Sequence, residues 1–157
     1  MKQTSKAGRK RDTQGSLVPS WIKAGLITGA LLIVIIVANS LVSGASLICY
    51  PIQFIAFLGN GLLAAFFEQG DFQRKKRISA QAKAYHKPNY VAVGAGAGFV
   101  VSIIASIVYL IIWSQLNGLL LPGLDLLVDS PFSLMAIDSI AAIGLGMLGS
   151  LVGGRFF

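Results

Sequence analysis

Charge is what this chain lacks most. Only 12% of its 157 residues are Asp, Glu, Lys or Arg, about half of the roughly 25% usual in a soluble domain, and 6 are acidic against 13 basic. Cysteine and histidine occur once each. The single Cys49 excludes an internal disulfide, and Ser46-Leu47-Ile48 before it lacks the small residue expected ahead of a lipidated cysteine, so it reads as a small apolar wall residue. His86 stands between Tyr85 and Lys87 with no Cys, His or carboxylate at ligand spacing, which speaks against a metal site. No acid and base pair, Ser/His/Asp set or Cys/His set falls in the apolar stretches, so neither an enzyme nor a cofactor is expected. The segment Gly144-Leu145-Gly146-Met147-Leu148-Gly149 matches the G-x-G-x-x-G pattern of phosphate loops, but it lies inside an apolar run with no strand before it.

What the chain has in excess is apolar surface. Hydrophobic residues make up 55% before the 18 glycines are added, where a soluble domain reaches roughly 45 to 50% with glycine included. From Ala24 to Phe67 there are 44 consecutive residues without a charge, and a bilayer core of about 30 Å needs only about 20 helical residues. That run therefore holds two spans, broken at Ser43-Gly44-Ala45-Ser46, with helices over about 21–43 and 47–67. A third span over about 90–113 is opened by Pro88-Asn89 and closed by Ser114-Gln115. The fourth, about 134–154, follows Ser130-Pro131 and stops at Arg155. The expected fold is all-α: an integral membrane protein with four transmembrane helices in two antiparallel hairpins. Residues 1–20 form a separate basic arm, expected to be disordered because Leu17-Val18 is its one large aliphatic pair. A cleaved signal peptide is the competing reading of the first span, but its basic region and apolar run are both long for a signal.

Lysine and arginine accumulate on the cytoplasmic side of membrane proteins. Four spans put all 13 on one side: Lys2, Lys6, Arg9, Lys10, Arg11 and Lys23, then Arg74, Lys75, Lys76, Arg77, Lys83 and Lys87, then Arg155. Both termini and the central loop, Glu68 to Asn89, are thus expected in the cytoplasm, in a plasma (inner) membrane. Trp21 and Tyr90 inside, and Tyr50 and Trp113 outside, fit interfacial belts. Arg74, Lys75, Lys76 and Arg77 lie beside the membrane surface, where each basic side chain gains about 1 kcal/mol from anionic headgroups; a nucleic-acid partner is disfavoured. Ile78, Ala82 and Tyr85 have helical spacing and suggest a short surface helix. In the outer loop, Asp125 and Asp129 are one helical turn apart and read as a solvated face, two side chains being too few for a hard cation.

Helices in lipid gain little by hiding apolar surface and associate through close packing of small residues. Ala142, Gly146, Ser150 and Gly154 recur every four residues, and Gly94, Gly98, Ser102 and Ser106 repeat the device in the third span; Gly25 and Gly29 add a lesser pair. The two long stripes are expected to face each other, with Gly94 level with Gly154 and Ser106 level with Ala142. Copies of the chain, or a larger membrane complex, are the other surfaces such stripes serve. Polar residues inside spans need a partner or water. Asn39, Gln53 and Asp138 lie roughly 6 to 9 Å from the outer ends of their helices by helix rise and are expected to share a polar pocket. Asn60 lies deeper and is expected to bond a neighbouring helix, and Pro51 falls in a first turn, where it need not kink the helix. Small multidrug exporters resemble this chain in span number alone, because they carry a glutamate in the first helix and the one glutamate here is Glu68. Two function classes remain: a structural or accessory membrane module, and a subunit of an oligomeric channel or transporter.

Overall fold

A computed structural model describes residues 18–41, 46–78, 88–115 and 131–156. All four described segments are helical: α1 (Ser20–Leu41), α2 (Ser46–Ile78), α3 (Tyr90–Gln115) and α4 (Pro131–Phe156). Each is long and apolar enough to cross a membrane, and the chain is a multi-pass membrane protein. Residues 1–17 of the N-terminal arm, Gly44, the segment holding Ala82, Tyr85 and His86, and the segment holding Asp125 and Asp129 lie outside the described residues, and Ser20 at the end of the arm already belongs to α1.

The local chemistry of the helix starts is visible in their bonds. The Pro19 carbonyl accepts the Ile22 and Lys23 amides at 3.1 and 3.2 Å, so α1 begins directly after a proline that has no amide of its own to satisfy. Asn89 caps α3 twice over, its side-chain Oδ1 accepting the Ala92 amide at 3.3 Å and its carbonyl the Val93 amide at 3.1 Å. α4 starts on Pro131, the residue type favoured at a first helical position. Most boundaries fall within three residues of the sequence reading, and the two differences with consequences are in α2. α2 runs eleven residues beyond Phe67 to Ile78: Glu, Gln, Arg and Lys end a membrane span but are good helix formers, so the charges mark where lipid stops and the helix does not. Starting at Ser46, α2 also places Pro51 at its sixth residue, past the first turn.

The helices pair antiparallel within α1/α2 and α3/α4. α2 and α3 each touch both other helices and also each other, whereas α1 and α4 share no contact region among the described residues. The core is stacked in three layers. Nearest the basic end, Ala24, Ala64 and Ala97 are completely buried, with Trp21 and Phe67 against them. Leu32, Phe57, Val101 and Ala142 fill the middle. Ile36, Ala105, Tyr109 and Leu134 form the far layer. Large aliphatic side chains such as Val34, Ile55, Ile107 and Ile140 point outward, the arrangement lipid requires and water penalises.

Small residues set the helix spacing on two sides of α4. A Cβ built on Gly98 would stand 2.7 Å from the Ile143 Cα, and one on Gly146 would stand 2.7 Å from the Gly94 carbonyl oxygen. On the α2 side, a Cβ on Gly61 would lie 2.7 Å from the Ser150 amide nitrogen, and Gly149 lies against the Leu58 carbonyl. The α3/α4 register is displaced from the expected one: Gly94 faces Gly146 and Ser150, Gly98 faces Ala142, and Gly154 receives the Tyr90 ring. The Ser150 hydroxyl donates to the Tyr90 carbonyl at 2.5 Å, fixing that register from the polar side. Ser102 is buried but bonds back to the Phe99 carbonyl of its own helix at 2.9 Å, and Ser106 is half-buried.

Candidate functional site

Helix rise brings three polar side chains to one depth at the far end of the bundle. Gln53 lies seven residues into α2, Asp138 seven into α4, and Tyr109 six before the end of α3, each about 9 to 10 Å from its helix end. All three are buried, at 3 to 4% exposure. Gln53 Nε2 donates to Asp138 Oδ2 at 2.7 Å and lies 3.2 Å from the Tyr109 hydroxyl, and that hydroxyl donates to the same Oδ2 at 2.7 Å. One carboxylate oxygen thus ties α2, α3 and α4 together.

Asn39 follows Ile36 of the far layer by three residues on α1, and Tyr50 precedes Gln53 by three on α2, so both stand about one turn beyond the cluster toward the far end. Neither Asn39 Oδ1 nor the Tyr50 hydroxyl makes a hydrogen bond of ordinary geometry, although both atoms are buried. Of the residues the sequence singled out, Gln53 and Asp138 touch directly, whereas Asn39 Oδ1 has no hydrogen-bond partner. The sequence pattern does not point to the two tyrosines: a phenol in the interior of an apolar span is the available signal for Tyr109, while Tyr50 fits an interfacial belt equally well.

The electrostatics of the cluster are set by what surrounds Asp138. The two groups bonded to it, an amide and a phenol, carry no positive charge, and the ion pair among the described residues, Lys23 with Asp71 at 3.7 Å, lies at the opposite end. A buried carboxylate without a cation is costly unless its donors are well placed, which accounts for two donors converging on Oδ2. No group of three or more His, Cys, Asp or Glu side chains gathers among the described residues.

Asn60 corrects the sequence reading in the other direction. It is 1% exposed, on the stripe of α2 that also buries Gln53, Phe57 and Ala64, yet neither Oδ1 nor Nδ2 has a hydrogen-bond partner. The expected bond to a neighbouring helix is not made, although Asn60 lies between the layers of Phe57 and Ala64.

The basic end holds a second polar region. The Ser20 hydroxyl donates to Glu68, and the Tyr90 hydroxyl donates to Gln69 Oε1 at 2.7 Å. Between the starts of α1 and α3 and the charged extension of α2 lies a cavity of about 480 Å³, with Ser20, Trp21, Glu68, Asp71, Arg74 and Lys75 among its walls. Arg74, Lys75 and Lys76 are exposed, and the Arg77 side chain lies outside the described residues. Comparison with protein-family models, with curated proteins and with solved structures finds no match for this chain.

Proposed function

We propose that this chain is a structural or accessory module of the plasma (inner) membrane, packing through small-residue helix faces and without catalytic activity. The observation that supports this most is the backbone approach at Gly98 and Gly146, which draws α3 and α4 together within one chain. The polar clamp on Asp138 adds a second tie across α2, α3 and α4. Middle-layer side chains with no exposed surface, Leu32, Phe57 and Val101, close the bundle and argue against a pore within a single copy. In this reading both termini are cytoplasmic and Arg74, Lys75, Lys76 and Arg77 meet anionic headgroups. Membrane-impermeant thiol labelling after removal of Cys49 checks the orientation: Asp129→Cys should react from outside and Ser79→Cys should not.

A second reading, a subunit of an oligomeric channel or transporter, draws support from the buried carboxylate itself, since an ionisable group in a span is costly and usually has a use. Purified protein in liposomes separates the two. The module reading expects Na⁺, K⁺ and H⁺ fluxes equal to those of protein-free vesicles. Flux that disappears in Asp138→Asn would replace it with the second reading.

A further inference from the structure

We infer that the far-end cluster is a binding site for a small, hard monovalent cation of the sodium class, with Asp138 as its charged ligand and Gln53, Asn39, Tyr50 and Tyr109 as neutral oxygen ligands. Three observations converge on this chemistry. The first is charge: Asp138 is 4% exposed and its bonded partners, an amide and a phenol, are neutral, so a monovalent cation would balance its carboxylate. The second is the pair of buried oxygens with no hydrogen-bond partner, Asn39 Oδ1 and the Tyr50 hydroxyl, at the same far end, Asn39 one turn past Ile36 and Tyr50 one turn before Gln53. The third is composition, because the groups that meet here offer oxygen and no imidazole or thiolate, the donor set that suits alkali and alkaline-earth ions over transition metals.

Counting donors fixes the class further. Two carboxylate oxygens, two amide oxygens and two phenols make six, enough for an octahedral shell of oxygen around a hard cation. A single carboxylate balances one charge; a divalent ion would keep an unneutralised charge in a low-dielectric interior. The Gln53 amide turns Nε2 toward Asp138 Oδ2. A half-turn of that amide exchanges Nε2 for Oε1 at almost unchanged shape. The site thus has two self-consistent states, donors on the carboxylate or oxygens on a cation. The inference stands whether the cation is structural or carried, so it does not depend on either functional reading.

Thermal unfolding of the full chain in detergent tests it, with NaCl, KCl or N-methyl-glucamine chloride at one ionic strength. The expected result is a Tm higher by several degrees in Na⁺ than in N-methyl-glucamine, saturating with concentration as binding to the folded state requires. Asp138→Asn, which keeps an acceptor for Tyr109, should fold and lose the Na⁺ dependence. Tyr50→Phe and Asn39→Leu, each removing one oxygen, should shift the half-saturating Na⁺ concentration upward about tenfold while leaving the Tm in N-methyl-glucamine within a degree or two of wild type. Identical melting of the wild type in Na⁺ and N-methyl-glucamine would overturn the site, as would an unchanged Na⁺ response in Asp138→Asn. Should Asp138→Asn fail to fold, radioactive Na⁺ binding to wild type and to Tyr50→Phe decides: equal affinities, or no saturable binding to wild type, refute the inference.

Discussion

Gly146→Leu is expected to lower the melting temperature in detergent on the order of 10 °C. A Cβ there would stand 2.7 Å from the Gly94 carbonyl oxygen, with the Gly98 Cα at 3.5 Å. Those atoms are backbone, which cannot rotate aside as a side-chain tip can, so the whole α3/α4 interface must separate. Overpacking costs roughly 1 to 3 kcal/mol where side chains can yield, and this contact belongs at or above that upper end; for a chain of this size each kcal/mol moves the midpoint by about 2 to 4 °C. Gly144→Leu supplies the control, because it makes the same chemical change in the same helix at a position with no neighbouring atom within 4 Å. Its Tm should stay level or rise slightly, glycine being a poorer helix former than leucine. Equal losses from the two variants would mean that backbone approach is not what holds α4.

Asp138→Leu should be the most damaging change in the polar cluster. It removes the acceptor of two donors, Gln53 Nε2 and the Tyr109 hydroxyl, and leaves both buried. Each buried unsatisfied group costs about 1 to 3 kcal/mol, although hydrogen bonds between helices in membrane proteins often measure nearer 0.6. The expected loss is therefore about 1 to 4 kcal/mol, with Asp138→Asn milder because its amide oxygen still accepts from Tyr109. Adding Gln53→Leu and Tyr109→Phe to Asp138→Leu should recover part of the loss, since an apolar cluster has nothing left to satisfy. Denaturation that is unchanged in Asp138→Leu, or losses that simply add across the three sites, would show that the bonds carry no stability.

These two sites mark how far the amino-acid pattern carries. The four spans followed from uncharged runs and from local signals, Pro88-Asn89 before α3 and Pro131 at the start of α4, because helix formation in lipid depends on length and on backbone satisfaction within the segment itself. The α2 extension to Ile78 escaped that logic, since Glu68 through Arg77 reports the lipid boundary and says nothing against a helix. Register escaped for a different reason. Small residues repeating every four positions look alike at each step, so Gly94 fits Gly154 as well as it fits Ser150; the choice falls to the bulk of Tyr90 and its carbonyl bond from Ser150. Equal depth for Gln53 and Asp138 could be read from helix rise, but the rotation of each helix could not, and Tyr109 and Asn60 are where that shows. One enters the cluster as its third member and the other finds no partner at all.

Because α2 and α3 meet each other while α1 and α4 do not, the four axes form a rhombus in section, with α1 and α4 at its distant corners. Those corners are not equivalent. α4 is seated backbone against backbone at Gly61, Gly98 and Gly146, whereas at α1 Gly25 receives Val100 with the Ala97 carbonyl beside it and Gly29 receives the Ile104 side chain. α4 is thus held mainly by backbone approach, and α1 in larger part by side chains seated on its glycines. Asn39 belongs to α1, while Asp138, Gln53, Tyr109 and Tyr50 belong to the three helices that all meet one another. Taking away the Asn39 oxygen therefore touches none of the bonds that tie α2, α3 and α4 together.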